Sequence, residues 1–566
     1  MRKFGIFLYT IFALLFAGLP FFVLKMSALG AAKYEGFGLW PFWAIAAAAV
    51  LVCLIPRELP KFPDWLAAGL WGCLAFQMRW RSFHAIEKYM VMKYDFAAVL
   101  ESARGIKQAK EAIFTHWAFY PRILQIWDTH FGNDFSYRNA VYFNLMIGGL
   151  LVVLVYLIAR RIWKRQRVAM LAAAALTFWP SFSYYASVIS NEHLAMFFML
   201  CASYAGILAW QFAKARREEI PAGEPAEVPG ASGLPASNAP GTRVSWAKRL
   251  SVPAFWAIFA ILIIGAGVCA GLADLFKQFS PVFAVAFFAA GFVFLLMETP
   301  SEVQERAEFR AKTGSSPLKA LGKKLLCLLL CAVLMFGCAS IVKEGAYRWL
   351  EGYLGMPVAR NATAHFLWIG LNSRGEGMWT QEEGMKVYEL AEAYGNDYDK
   401  VMDGLWELLR EDMAAHPEAL KGTIAHKMEK DWEADIGITL WIKALYDEEA
   451  AWLDAHPGEA LTWEITRAEL DTVDFDPGDG IAKSSAAYYM CVMGLVALGG
   501  VLALFLRSPL EMYLRLVFYG YALLFLLSEA QGRYQIVLFP VFALLAAGAC
   551  ELAGTLPSLI RQKRAL

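Results

Sequence analysis

The chain has 566 residues, of which 58% are hydrophobic and 18% charged, and a net charge of +1. Its mean hydropathy is +0.43. These values exclude an ordinary soluble enzyme and a disordered chain, and the near-neutral charge leaves no nucleic acid among the expected partners. Runs of about 18 or more apolar residues recur, each long enough to cross a hydrocarbon layer of roughly 30 Å. An α-helical polytopic membrane protein is therefore expected, with membrane lipids as its surroundings.

Met1-Arg2-Lys3 precedes an apolar run over 4–24. The run is too long for a signal peptide and shows no small-residue cleavage site, so it reads as a retained signal-anchor helix with a cytoplasmic N-terminus. Further spans are expected at about 40–55 and 65–78. After three crossings the polar interval 81–138, which carries Asp95, lies outside. A fourth span at 140–158 ends in Arg160, Arg161, Lys164, Arg165 and Arg167, a cytoplasmic marker that supports the count without reference to the N-terminus. A fifth at 168–185 and a sixth at 194–212 flank the short turn Ser190-Asn191-Glu192-His193, which alternation puts outside.

Residues 214–250 begin with basic residues and become rich in Pro, Ala and Gly, the composition of a flexible cytoplasmic linker. Spans at 253–275 and 281–297 enclose the outer turn Phe276-Lys277-Gln278-Phe279, where a lysine runs against the positive-inside trend. A ninth span is expected at 325–342. Residues 343–484 hold about 29 acidic and about 13 basic residues, the opposite bias to the cytoplasmic loops. Eight tryptophans there, at 349, 368, 379, 406, 432, 441, 452 and 463, suggest a core. Helical spacing of apolar residues over 382–413 completes the expectation of a small, mainly helical extracytoplasmic domain. Three last spans, at 486–506, 513–527 and 536–552, bring the C-terminus back to the cytoplasm. The expected organisation is an N-terminal transmembrane module over 1–342 with its outer loop at 81–138, the extracytoplasmic domain at 343–484, and C-terminal transmembrane helices at 485–566, about twelve spans in all.

The nine cysteines all fall in apolar stretches without ligand spacing and read as small buried hydrophobes. His84, His116, His130 and His193 show no spacing that demands a metal; no cofactor is expected, and a divalent metal is compatible with the chemistry but not indicated. What the topology does collect on the outer face is Asp95, Glu192, Lys277 and the turn Glu529-Ala530-Gln531-Gly532-Arg533-Tyr534. Such a set suits an anionic lipid-linked substrate, with Lys277 and Arg533 on the phosphate and a carboxylate activating a hydroxyl. No GxGxxG between a strand and a helix points to a nucleotide-binding unit.

The stretch 94–210 resembles the polytopic GT-C glycosyltransferases of the protein-mannosyltransferase type, family 39. The resemblance runs through Asp95-Phe96 with Ala103, Phe119-Tyr120-Pro121, Phe131-Gly132, Arg138, Tyr156 with Arg160, and Pro180 to Glu192. It continues at Gly271 to Lys277 and at Glu529 to Tyr534 with Pro540. It implies a bacterial inverting glycosyltransferase of the plasma membrane that moves a sugar from a polyprenyl-phosphate monosaccharide to an acceptor hydroxyl on a glycan, lipid or protein. Asp95 would be the catalytic base and Glu192 a second catalytic carboxylate. Lys277, Arg533, Arg138, Tyr534, Gln531 and Glu529 would bind the substrate and its lipid phosphate.

The sequence departs from the family pattern in places. Asp95 is followed by Phe96 rather than by a second acid, and the aromatic-Pro turn lacks a second proline and a His-Pro pair. The segment 343–484 resembles the outer domain of Gram-positive-type relatives through 365–375 and 427–432, not the folded module of eukaryotic members. Asp95 ahead of an apolar run also suits a helix cap. Two other readings are a flippase or transporter of lipid-linked sugar without transferase chemistry, which would need polar residues along a mid-helix path and internal repeats, and a non-catalytic scaffold for wall assembly.

Overall fold

The computed structural model describes residues 2–32, 40–54, 62–87, 94–106, 109–132, 136–217, 251–297, 317–433, 451, 455–456, 477–504, 508–529 and 531–565. Every regular element among them is helical, as the apolar runs require: a helix satisfies its own backbone where lipid offers no hydrogen-bond partner. Among the described residues, eight helices are long and apolar enough to cross a membrane: Phe4–Ala31, Tyr137–Trp163, Glu192–Lys214, Val252–Asp274, Leu321–Leu354, Gly480–Leu502, Leu510–Leu527 and Gly532–Leu556. Two more apolar helices, Trp43–Cys53 and Ser280–Leu296, are shorter.

The remaining two of the twelve expected spans take other forms. The stretch at 65–78 is the middle of a 23-residue helix, Asp64–Ile86, whose Gln77, Arg79 and Arg81 lower its hydropathy. The stretch at 168–185 is broken: Gln166–Thr177 ends at Phe178 and a short helix, Pro180–Tyr185, starts afresh. Pro180 accounts for the break, since its ring cannot continue a helix but suits a first turn.

In chain order the helices are α1 (Arg2–Ala31), α2 (Trp40–Leu54), α3 (Asp64–Ile86), α4 (Tyr94–Ala103), α5 (Ala109–Ile113), α6 (His116–Phe131), α7 (Tyr137–Trp163), α8 (Gln166–Thr177), α9 (Pro180–Tyr185), α10 (Glu192–Arg217), α11 (Val252–Asp274) and α12 (Ser280–Leu296). They continue as α13 (Pro317–Leu354), α14 (Thr363–Leu371), α15 (Gln381–Ala393), α16 (Tyr398–Ala415), α17 (Ala419–Glu433), α18 (Pro477–Leu502), α19 (Pro509–Leu527), a 3-10 turn (Gly532–Leu538) and α20 (Phe539–Ala565).

Polar contacts define the two ends of the bundle. At one end Arg160 pairs with Asp64 at 2.9 Å, and Arg165 and Arg167 flank the buried carboxylate of Glu551 at 2.6 and 3.6 Å. The opposite end holds the starts of α7 and α10 and the loop joining α11 to α12. Ser136 caps α7 there by accepting from the Asn139 amide, while Lys164 closes its other end in the left-handed conformation. Between the ends, α11 and α13 approach closely along Gly267 and Gly271. A Cβ on these glycines would stand 2.5 Å from Met335 O and 2.8 Å from Ala339 O respectively, so only a residue without one allows this small-xxx-small contact. The other face of α13, with Leu326, Leu329, Leu330 and Val333, is exposed and suits lipid.

Helix α13 has 38 residues and is therefore about 57 Å long, far more than a hydrocarbon layer needs. It passes out of the bundle at the Lys277 end and leads into the polar helices α14–α17. These pack around Val387, Val401, Leu405 and Leu409, with Trp368 and Trp432 buried. Thr380 and Asp397 cap α15 and α16. Trp406 packs against the same core. Trp349 and Trp379 are exposed, and Trp441, Trp452 and Trp463 lie outside the described residues. The cysteines are likewise mixed: Cys53, Cys491 and Cys550 are buried, whereas Cys73 and Cys327 lie on outward faces.

Candidate functional site

The Lys277 end of the bundle gathers side chains from four distant parts of the sequence. Asn191, in the turn before α10, is buried and donates from its side chain to Phe276 O at 2.5 Å and His116 O at 3.3 Å. One amide thus ties the α11–α12 loop and the start of α6 to α10. Asp274 shapes the same loop by accepting from the Ser280 amide at 2.9 Å, and Lys343 of α13 meets its second oxygen at 3.4 Å. Lys277 is thereby held so that its Nζ donates to Glu192 Oε1 at 3.0 Å.

The turn after α19 closes over this pair. The Lys277 ammonium stands 4.6 Å from the centre of the Tyr534 ring, and the Arg533 guanidinium 5.3 Å from the same ring. Tyr534 donates its hydroxyl to Glu529 at 2.9 Å, and the Gln531 side chain donates to the other Glu529 oxygen. Glu529, Gln531, Arg533 and Tyr534 therefore form one locally bonded turn, with two cations lying against an aromatic face. Glu192 is buried, and its second oxygen, Oε2, has no hydrogen-bond partner among the described residues.

Asp95 is the second residue of α4, so its backbone lies in the first helical turn, where the helix dipole favours a negative charge. Its side chain lies outside the described residues. Its neighbour Phe96 is buried and lies 5.5 Å beneath the Arg533 guanidinium. The first turn of α4 thus abuts the Arg533–Tyr534 turn.

Arg138 is not brought into this cluster. It opens α7, its side chain is 65% exposed, and it pairs with Glu87. The four histidines have local roles. His84 faces Glu87, His116 packs by Phe366, His130 bonds Ile126 O, and His193 is stacked with Phe182 and Tyr185.

Two residues of the 427–432 segment, not among the expected site residues, adjoin the turn. Lys427 and Asp431 of α17 are buried. Burial pushes the Asp431 carboxyl up to about 8 and the Lys427 ammonium down to about 8, and Glu529 acts on both. Their signal was the i, i+4 spacing that puts both on one helix face, next to the apolar Trp432. Lys343 carried the signal that had singled out Lys277: a lysine at the far end of an apolar span.

Comparison with known proteins gives a local match in sequence. Residues 120–220 match the family model for dolichyl-phosphate-mannose-protein mannosyltransferase, a glycosyltransferase-type family. This segment runs from Tyr120-Pro121, which lie inside α6 rather than in a turn, past Glu192 and along α10. No curated protein sequence matches the chain significantly. Among solved structures, the archaeal oligosaccharyltransferase AglB from Archaeoglobus fulgidus, in complex with an inhibitory peptide and a dolichol-phosphate, aligns over 89% of this chain at 13% identity with a TM-score of 0.39. The chain spans 52% of that protein's length.

Proposed function

We propose that the protein is an inverting membrane glycosyltransferase that moves a sugar from a polyprenyl-phosphate monosaccharide to an acceptor hydroxyl. The observation that carries this reading is the convergence of the first turn of α4, Glu192, Lys277 and Arg533 at one end of the bundle. The match of 120–220 to dolichyl-phosphate-mannose-protein mannosyltransferases supports the donor class. In this reading the cell envelope of a bacterium supplies the acceptor as a glycan, lipid or protein. The site faces outward across the plasma membrane, and both termini lie in the cytoplasm.

The chemistry follows from the residue types. The donor is already activated, because the phosphate monoester is a stable leaving group. Asp95 takes the proton of the acceptor hydroxyl as its oxygen bonds to the anomeric carbon, and the bond from that carbon to the phosphate oxygen breaks with its electron pair on the phosphate. One displacement inverts the anomeric centre. Lys277 and Arg533 meet the charge that collects on the departing phosphate. Each charge-assisted contact of this kind contributes about 1.5–3 kcal/mol. Glu192 orients Lys277 through one oxygen and offers the other to the substrate. Glu529 and Gln531 fix the Tyr534 ring against which both cations lie.

The experiment is transfer by purified protein from labelled polyprenyl-phosphate sugars. Product formation with release of polyprenyl phosphate is the expected result. Movement of intact donor across a vesicle bilayer, without cleavage, would replace this reading with that of a flippase.

A further inference from the structure

The polar helices α14–α17 meet the bundle around the turn that carries Arg533 and Tyr534. Lys427 has no exposed surface, and its ammonium donates to Gly370 O at 2.9 Å and to Leu526 O at 2.8 Å. Leu526 O belongs to the last turn of α19, whose carbonyls lack helical partners and favour a cation. One turn later in α17, the Asp431 carbonyl accepts from the Gln535 side chain, whose oxygen in turn accepts from Tyr489 at 2.5 Å. Among the described residues the Asp431 carboxyl lacks a close hydrogen-bond partner, and Lys427, the Gln531 backbone amide and Glu529 are the groups that act on it. Trp432, also fully buried, packs on the Phe518 and Phe525 rings of α19 at 5.7 and 5.5 Å. The end of α17 then presses on α1, where a Cβ at Gly30 would stand 2.0 Å from Glu433 O.

These contacts grip the chain on both sides of the turn, at Leu526 before it and at Gln535 after it. Burying a lysine and an aspartate costs free energy that an independently docked domain has no reason to spend at its edge. We propose that Lys427 is a positioning residue: its ammonium, together with the Asp431 backbone carbonyl one turn on, clamps the turn between Leu526 and Gln535 from the polar helical segment and so fixes where Glu529, Arg533 and Tyr534 stand relative to Lys277. The consequence for catalysis rests on reading that turn as the donor-phosphate site. The clamp itself rests on the contacts above.

The test is hydrogen exchange of purified full-length protein, read by mass spectrometry over 526–538, with α7 as internal reference. Lys427→Met should speed exchange over 526–538 by about tenfold or more, since it removes charge-assisted bonds, and leave α7 unchanged. If Lys427→Met does not fold, Lys427→Gln, which keeps a donor but loses the charge and reach, carries the same test. Binding of a polyprenyl monophosphate should weaken by a similar factor in the same variant. Unchanged exchange over 526–538, or a rise equally large in α7, would overturn the clamp. Faster exchange over 526–538 with unchanged polyprenyl monophosphate binding would uphold the clamp and remove the turn from the donor site.

Discussion

Lys277 and Glu192, 85 residues apart in sequence, meet at 3.0 Å with the carboxylate side chain 5% exposed and the ammonium 24% exposed. The lysine therefore keeps an open side while its charge is held in place, which is what an anion site requires. Lys277→Ala should weaken binding of a polyprenyl monophosphate by about 10–150-fold, the equivalent of one charge-assisted contact. Arginine at the same position should restore part of it. Titration of the purified variants with the lipid checks this, and equal affinity in wild type and Lys277→Ala would remove Lys277 from the site.

Arg138 makes the opposite case. Its guanidinium is committed to Glu87 on an exposed surface, and such pairs contribute about 0–1 kcal/mol. Arg138→Ala should therefore leave transfer within about fivefold of wild type. A loss as large as that of Lys277→Ala would mean that Arg138 leaves Glu87 to bind substrate.

Sidedness is open to cysteine labelling on a cysteine-free background. A cysteine at Ser232, in the Pro/Ala/Gly-rich linker, should be protected from an impermeant reagent. One at Glu418, whose side chain is 77% exposed, should label. Ser373 is a poorer probe, because its hydroxyl and amide are both bonded to Asp412 at 2.7 Å. Labelling at 232 without labelling at 418 would invert the topology.

The buried pair on α17 also predicts a pH dependence. Asp431 binds its proton more tightly folded than unfolded, because burial raises it from 3.8 to about 8. Between those values the unfolded chain releases the proton first, so stability falls as pH rises. Lys427 works the other way above its lowered value of about 8, adding stability up to its ordinary 10.5. Thermal unfolding from pH 5 to 8 should show wild type losing stability relative to Asp431→Asn. Parallel curves would contradict the assigned burial of the carboxyl.

The helical architecture was legible because apolar runs of membrane length leave few alternatives. The 65–78 stretch lies in a 23-residue helix that Gln77, Arg79 and Arg81 make less apolar than the other spans. The 168–185 stretch looked continuous although Pro180 interrupts it. At the site, Glu192, Lys277 and Arg533 stood out because charge at the end of an apolar run is costly and therefore visible. Lys427 and Asp431 were hidden because charge in an acidic, water-exposed segment is ordinary. Only tertiary packing buries them. Arg138 was legible as a helix opener, but no sequence pattern revealed that Glu87 would take its charge.

Asp95→Asn tests the central claim most directly. Asparagine keeps the size of the side chain at this first-turn position, inside α4 rather than at its cap, but it cannot accept the acceptor's proton. The measurement is turnover by the purified variant with a polyprenyl-phosphate sugar that wild type uses, alongside binding of polyprenyl monophosphate. The account predicts wild-type lipid binding with turnover lowered about 10²–10⁴-fold, the usual contribution of a general base. Wild-type turnover by Asp95→Asn would contradict it.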